Sequence, residues 1–120
     1  MGVYVDAMVT PAPKRHTAAY LRSSRLFGKV WRDHGAVAYR ESIADDVKWG
    51  KRTSFPRSVK LKRGEVVWFS YIEYRSRKHR DQVMAKVMKD PRVVAYMKAG
   101  KFPFDMKRMY FGGFKALVDL

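Results

Sequence analysis

Ten residues, Glu65 to Tyr74, constrain the fold of this chain more than any other stretch. Read as a strand of period two, they put Val67, Phe69 and Tyr71 on one face and Val66, Trp68, Ser70, Ile72 and Tyr74 on the other. Both faces are largely apolar. An antiparallel sheet with helices on one side only leaves its other face polar, so this strand predicts a cover on both sides. The neighbouring segments supply the rest of a sheet and its helices. Residues 3–10 alternate, with Val3, Val5, Ala7 and Val9 opposite Tyr4, Asp6 and Met8, and Pro11-Ala12-Pro13 is expected to end that strand. Residues 14–34 read as a helix closed by Gly35. Its apolar face carries Ala19, Tyr20, Leu26, Phe27, Val30 and Trp31, and its opposite face carries Arg15, Arg22, Arg25, Lys29 and Arg32.

Residues 36–43 form a second strand, with Val37, Tyr39, Glu41 and Ile43 on one face. A long basic connection follows over 45–63, and part of it near 58–61 is expected to extend the sheet. Ser76 reads as the cap of a helix over 77–89, which Asp90-Pro91 breaks before a short helical turn at 93–98. Residues 107–120 are the last strand, with a bulge expected at Gly112-Gly113. The order β-α-β-β-α-β predicts an α+β, ferredoxin-like domain spanning residues 1–120: a four-stranded antiparallel sheet with two helices on one face, its first and third strands central. The apolar second face points to a back-to-back homodimer through the open sheet face, giving a dimeric α/β-barrel.

Charge limits the partners. Twenty-six Lys and Arg stand against eleven Asp and Glu, a formal net charge of +15. This favours polyanions, including non-specific nucleic acid, without choosing among them. The charge is not a tail: residues 1–60 hold twelve Lys and Arg against five acids, and residues 61–120 hold fourteen against six. The absence of cysteine excludes disulfides, thiolate metal sites and cysteine nucleophiles, and fits a reducing cytoplasmic setting. No apolar run is long enough for a membrane span. Met1-Gly2 is followed by Asp6 where a myristoylation site needs Ser or Thr, so no lipid anchor is expected there.

Several stretches are recognisable together. Tyr4-Val5-Asp6, His34-Gly35-Ala36, Asp45-Asp46-Val47, Thr53-Ser54-Phe55, Phe69-Ser70-Tyr71-Ile72-Glu73, Arg80-Asp81, Asp90-Pro91-Arg92, Pro103-Phe104-Asp105, Lys107-Arg108-Met109 and Gly112-Gly113-Phe114 occur in an order that spans nearly the whole chain. In these the chain resembles the bacterial DUF1428 family. The resemblance implies a dimeric α/β-barrel fold and little about activity. The chain departs from the family pattern at Ser42-Ile43-Ala44, where relatives tend to read Cys-Trp-Gly after the glutamate. It also departs at Arg75 in place of Pro and at Met106 in place of Gly. Relatives are not as a rule so basic.

Candidate site residues divide by chemistry. Asp6 on the first strand reads as a pocket carboxylate or, more simply, as half of an ion pair with Arg108. His34 ends the first helix, where the helix dipole favours it. Glu41 is expected to face the dimer barrel and pair across it. These four are weak catalytic candidates, because no nucleophile motif accompanies them. His16, His34 and His79 lack ligand spacing, so no metal is expected, and Gly112-Gly113 lacks the context of a phosphate loop, so no cofactor is expected. Arg15, Arg22, Arg25, Lys29 and Arg32 are the anion-binding candidates, and Trp31, Trp68 and Tyr71 the pocket candidates. Three functions fit. One is a small dimeric protein that binds polyanions through its surface. The second is a cofactor-independent enzyme or small-molecule binder with a pocket between sheet and helices. The third is an engineered, resurfaced scaffold for assembly or encapsulation.

Overall fold

The structure, a computed structural model, describes residues 3–120; the reading of Met1-Gly2 lies outside the described residues. Four strands form one sheet: β1 (Tyr4–Pro13), β2 (Ala38–Ile43), β3 (Glu65–Tyr74) and β4 (Tyr110–Lys115). Their order is β2-β3-β1-β4 and every neighbouring pair is antiparallel. The two strands with the longest apolar alternation, β1 and β3, are therefore the central ones. β1 runs three residues further than the prolines suggested. Pro11 and Pro13 are tolerated because β4 pairs only with Tyr4 to Val9. On that side of β1 the Pro11 carbonyl accepts instead from the Asp105 N–H, at 3.3 Å, and no ladder donor is required of the prolines.

The sheet is open. β2 and β4 each have a single strand neighbour and stand at opposite edges, so the α/β-barrel expected from the sequence is corrected. Four strands about 4.8 Å apart span too short an arc to close around a filled interior. The helices differ as well. Three cover one face, namely α1 (Thr17–Asp33), α3 (Arg77–Lys89) and α4 (Pro91–Ala99), and the short α2 (Phe55–Ser58) lies on the other. Lys14–His16 forms a 3-10 turn ahead of α1. Ser76 caps α3 by accepting from the His79 N–H at 3.0 Å, and Asp90 caps α4 by accepting from the Arg92 N–H at 2.9 Å.

The main core lies between the sheet and α1, α3 and α4, where Val30, Ile72, Tyr74, Val83, Val87 and Val93 are buried together. A smaller cluster of Val9, Val59 and Val67 sits on the opposite face. There the 45–63 connection folds back across the sheet, turned by α2, whose Ser54 cap accepts from the Arg57 N–H at 3.1 Å. Residues 58–61 thus cover the sheet and do not extend it. This supplies at one end the second cover that β3 demanded. Beyond it Phe69 and Phe114 remain 39% and 62% exposed. β4 carries no bulge: Gly112 and Gly113 pair one to one with Ala7 and Asp6. Gly113 serves close approach, since a Cβ there would stand 2.1 Å from the Tyr4 hydroxyl oxygen.

Candidate functional site: an apolar cavity around Glu41

On the helix-covered side, β1, β2 and β3 direct Thr10, Glu41 and Ser70 inward, and α1 directs Ser23 and Ser24 toward them. These are small or polar groups at positions where larger apolar side chains would fill the layer. A cavity of about 210 Å³ results. Its walls are rich in aromatic rings, with Tyr20, Phe27 and Trp31 from α1, Tyr39 from β2 and Tyr96 from α4. Tyr20 is held by Trp68, whose ring stacks on it at 4.2 Å and 14°. Five of the seven methionines line the cavity, and Met88, Met97 and Met106, each about half exposed, sit where it meets solvent.

Glu41 is the one charged side chain in this lining. The Tyr20 hydroxyl donates to Oε1 at 3.0 Å and the Ser24 hydroxyl donates to Oε2 at 2.9 Å. Burial pushes the Glu41 carboxyl above its ordinary range, and the two hydroxyls pull it back only in part. The same burial, together with the neighbouring carboxylate, pushes the Tyr20 phenol up; Tyr39 is pushed up to about 12, chiefly by burial. Both phenols are neutral at ordinary pH. Among the described residues no Lys, Arg or His pairs with Glu41. The arrangement is an apolar cavity, open to solvent at its methionine rim, with one carboxylate held by neutral hydroxyls.

The other sequence candidates fall elsewhere. Glu41 itself faces the helices and not the open face, because Tyr39, Glu41 and Ile43 share the register of Ile72, Ser70 and Trp68. Trp31 lines the cavity and donates its indole N–H to the Tyr74 hydroxyl at 3.0 Å. Trp68 stands behind Tyr20, its own indole N–H buried without a hydrogen-bond partner. Tyr71 lies on the opposite face of β3. Asp6 pairs with Arg80 at 2.7 Å, not with Arg108. Burial raises the Asp6 carboxyl against the pull of that guanidinium. Arg108 grips Glu65 with two bonds, at 2.7 and 2.5 Å, and Asp105 at 2.7 Å. It thereby ties the segment before β4 to the start of β3. His34 bonds Asp90 at 2.8 Å, and Arg92 joins Asp90 to Asp33, so this cluster clamps the end of α1 to the start of α4. Arg15 in the 3-10 turn and Arg22, Arg25, Lys29 and Arg32 on α1 are all exposed. Of these, Lys29 stands 3.7 Å from Asp33, and Arg32 donates to the Ala36 and Val37 carbonyls.

Sequence reasoning missed the walls given by Phe102, Phe104, Met106 and Met109. They come from irregular chain between α4 and β4, which has no period to read. A signal for the cavity floor does exist in the sequence: Ser23-Ser24 interrupts the apolar face of α1, and Ser70 interrupts that of β3. Among the described residues no helix is long and apolar enough to cross a membrane, and no three His, Asp or Glu side chains gather as metal ligands.

Comparison with known proteins agrees with this architecture. The family described as "Protein of unknown function (DUF1428)" matches residues 3–106. The uncharacterized protein YbaA of Escherichia coli K12 is 38% identical over 116 residues, covering 97% of each chain, and YbaA of Shigella flexneri matches to the same extent. Among solved structures, a NIPSNAP family protein with unknown function from Agrobacterium tumefaciens C58 superposes with a TM-score of 0.55. That match covers 96% of this chain and 88% of the other at 14% identity, and it is a likeness of fold alone. The sequence match runs through β1, the Glu41 strand, β3 and the 90–106 segment that walls the cavity, and on it this chain belongs to the DUF1428 family.

Proposed function

We propose that this protein binds a small, largely apolar molecule in the cavity between the sheet and helices α1 and α4, with Glu41 as the polar anchor. One observation carries the reading: an apolar cavity of about 210 Å³ with a single part-buried carboxylate in its wall. A cavity of about 150 Å³ holds one benzene, so this one suits a single ring with a short substituent. The thioethers of Met8, Met88, Met97, Met106 and Met109 give it a soft, adaptable lining. Titration of 2-phenylethanol into methyl-labelled protein tests the idea. The methyl signals of those five methionines should shift and saturate, with that of Met84 unmoved. Absence of any saturable shift in the five would rule the pocket reading out.

Two surface readings have observations of their own. Arg15 just ahead of α1 and Arg22 and Arg25 on it are exposed, and none of them has a carboxylate partner among the described residues. On a chain of net charge +15 they favour salt-sensitive, weakly selective association with polyanions. Binding of an unrelated duplex should weaken steeply between low and physiological salt and fall further in R15E/R22E/R25E; salt-independent binding would contradict this. The part of the open sheet face beyond α2, at Phe114 and the exposed side of Phe69, suits a second copy of the chain. Light scattering should then give twice the 14.0 kDa chain mass, reverting to one chain in Phe69→Glu. A single-chain mass for the unaltered protein at high concentration would dismiss the dimer.

A further inference from the structure

We infer that the ligand of the Glu41 cavity is an organic cation, an ammonium group carried on an aromatic or short alkyl body. The inference rests on the pocket reading above and adds the chemical class of the occupant. Its starting point is an imbalance. The chain has twenty-six Lys and Arg against eleven acids, and its two most deeply buried carboxylates each meet a guanidinium: Asp6 meets Arg80 and Asp90 meets Arg92, while the part-buried Glu41 faces an apolar cavity. Glu41 meets none, although cations are plentiful elsewhere. A carboxylate taken out of water needs a counter-charge or a proton, and here the protein supplies neither a cation nor a second carboxyl to share one.

The geometry leaves room for a counter-charge from outside. Each Glu41 oxygen accepts one hydrogen bond, from Tyr20 or from Ser24. A carboxylate has about four lone-pair sites, so about two remain for an ammonium, which has up to three N–H donors. The nearest rings are Tyr20 and Tyr39, and Phe27 and Trp31 line the same cavity. Aromatic faces attract an ammonium once it is desolvated, and they accept its hydrocarbon body equally well. An anionic ligand would be repelled by Glu41, and a neutral one would leave its charge unmatched.

The cavity size favours a primary arylalkyl amine over anything larger. On its outer side Glu41 borders a shallow groove between α1 and β2 with Arg25, Lys29 and Arg32. None of these is within ion-pair distance of it, and the cation reaches Glu41 from the methionine-rimmed side.

The test compares three isosteric probes by calorimetry at pH 7.5: 2-phenylethylamine, 2-phenylethanol and phenylacetate. The amine should bind at least tenfold more tightly than the alcohol, and the acid should not bind. In Glu41→Gln the amine-to-alcohol ratio should fall to threefold or less. A second measurement needs no variant. Between pH 7.5 and 4.5 the amine stays protonated while Glu41 takes up a proton, so the preference should collapse. The groups facing Glu41 through that range are Tyr20 and Ser24 on α1, Tyr39 on β2, Thr10 on β1, Ser70 on β3 and the outer Arg25, Lys29 and Arg32. The two phenols, both raised by burial, stay neutral throughout. Equal binding of amine and alcohol to the unaltered protein would overturn the inference and leave the pocket reading standing. A preference that survives both Glu41→Gln and acid would also overturn it. Failure of all three probes would remove the pocket reading and this inference together.

Discussion

Replacing Arg80 by Met removes the only guanidinium that meets Asp6 and keeps most of the apolar stem. Asp6 is 7% exposed and lies 2.7 Å from Arg80, with the Tyr74 hydroxyl nearby. Without Arg80 the carboxylate is either ionised and unpaired or protonated. Protonation sets a ceiling on the pH-dependent cost. Neutralising a carboxyl of ordinary pKa at pH 7 takes about 1.4 kcal/mol per pH unit over about three units, or roughly 4 kcal/mol. The cost lies below that ceiling because burial already raises Asp6 in the native protein. The sign follows from this direction. A raised carboxyl loses stability as pH climbs from its unfolded to its folded value, and Arg80→Met raises the folded value further, so the loss continues to higher pH and runs deeper. The gap between native and variant should therefore widen from pH 5 to pH 7, by up to about 2.7 kcal/mol. Urea denaturation at pH 5, 6 and 7, followed by tryptophan emission, measures it. Adding Asp6→Asn to Arg80→Met should remove the pH dependence. A penalty that is constant with pH, or that Asp6→Asn leaves unchanged, would refute the reasoning.

Three further outcomes are expected. Gly113→Ala places a methyl 2.1 Å from the Tyr4 hydroxyl oxygen and should cost about 1–3 kcal/mol in denaturant titration, less when combined with Tyr4→Phe. Glu41→Gln keeps an acceptor for Tyr20 and removes a carboxyl that burial raises; it should melt higher than the native protein at pH 7, with the advantage gone below about pH 4, the ordinary carboxylate range. Asp90 is held well below that range, first by Arg92 and then by His34, so its contribution is present at neutral pH and lost as pH falls through its depressed value. Asp90→Asn should accordingly lower the melting temperature at pH 7 and flatten the acid limb of the melting curve.

The order of elements was legible because period two and period 3.6 alternate cleanly along the chain, and β3 announced that both faces of the sheet are covered. What covers the second face was not legible. The 45–63 connection reads as a basic loop, yet Val59 and Leu61 pack on Val9 and Val67 while its lysines and arginines stay outside. The barrel went wrong for a related reason, since an apolar second face says that something lies on it and not that strands close around it. At the site, Glu41 and Trp31 were named from sequence, but their meeting was not, because strand β2 pairs with β3 in a register that only the folded chain sets. The expected Asp6–Arg108 pair failed likewise. Both residues are close in the predicted sheet order, but Arg108 lies just before β4 and is drawn to Glu65 and Asp105, leaving Asp6 to an arginine from α3.

The most direct test of the central claim is where a bound probe sits. With 2-phenylethylamine present, intermolecular nuclear Overhauser effects should connect its ring protons to the methyl groups of Met8, Met109 and Ile72 on the cavity wall, and not to Met84. Contacts confined to Val5 and Ala7 on the open face, or to the exposed Leu117 and Val118, would show that the molecule is met at the surface and that the Glu41 cavity is not a binding site.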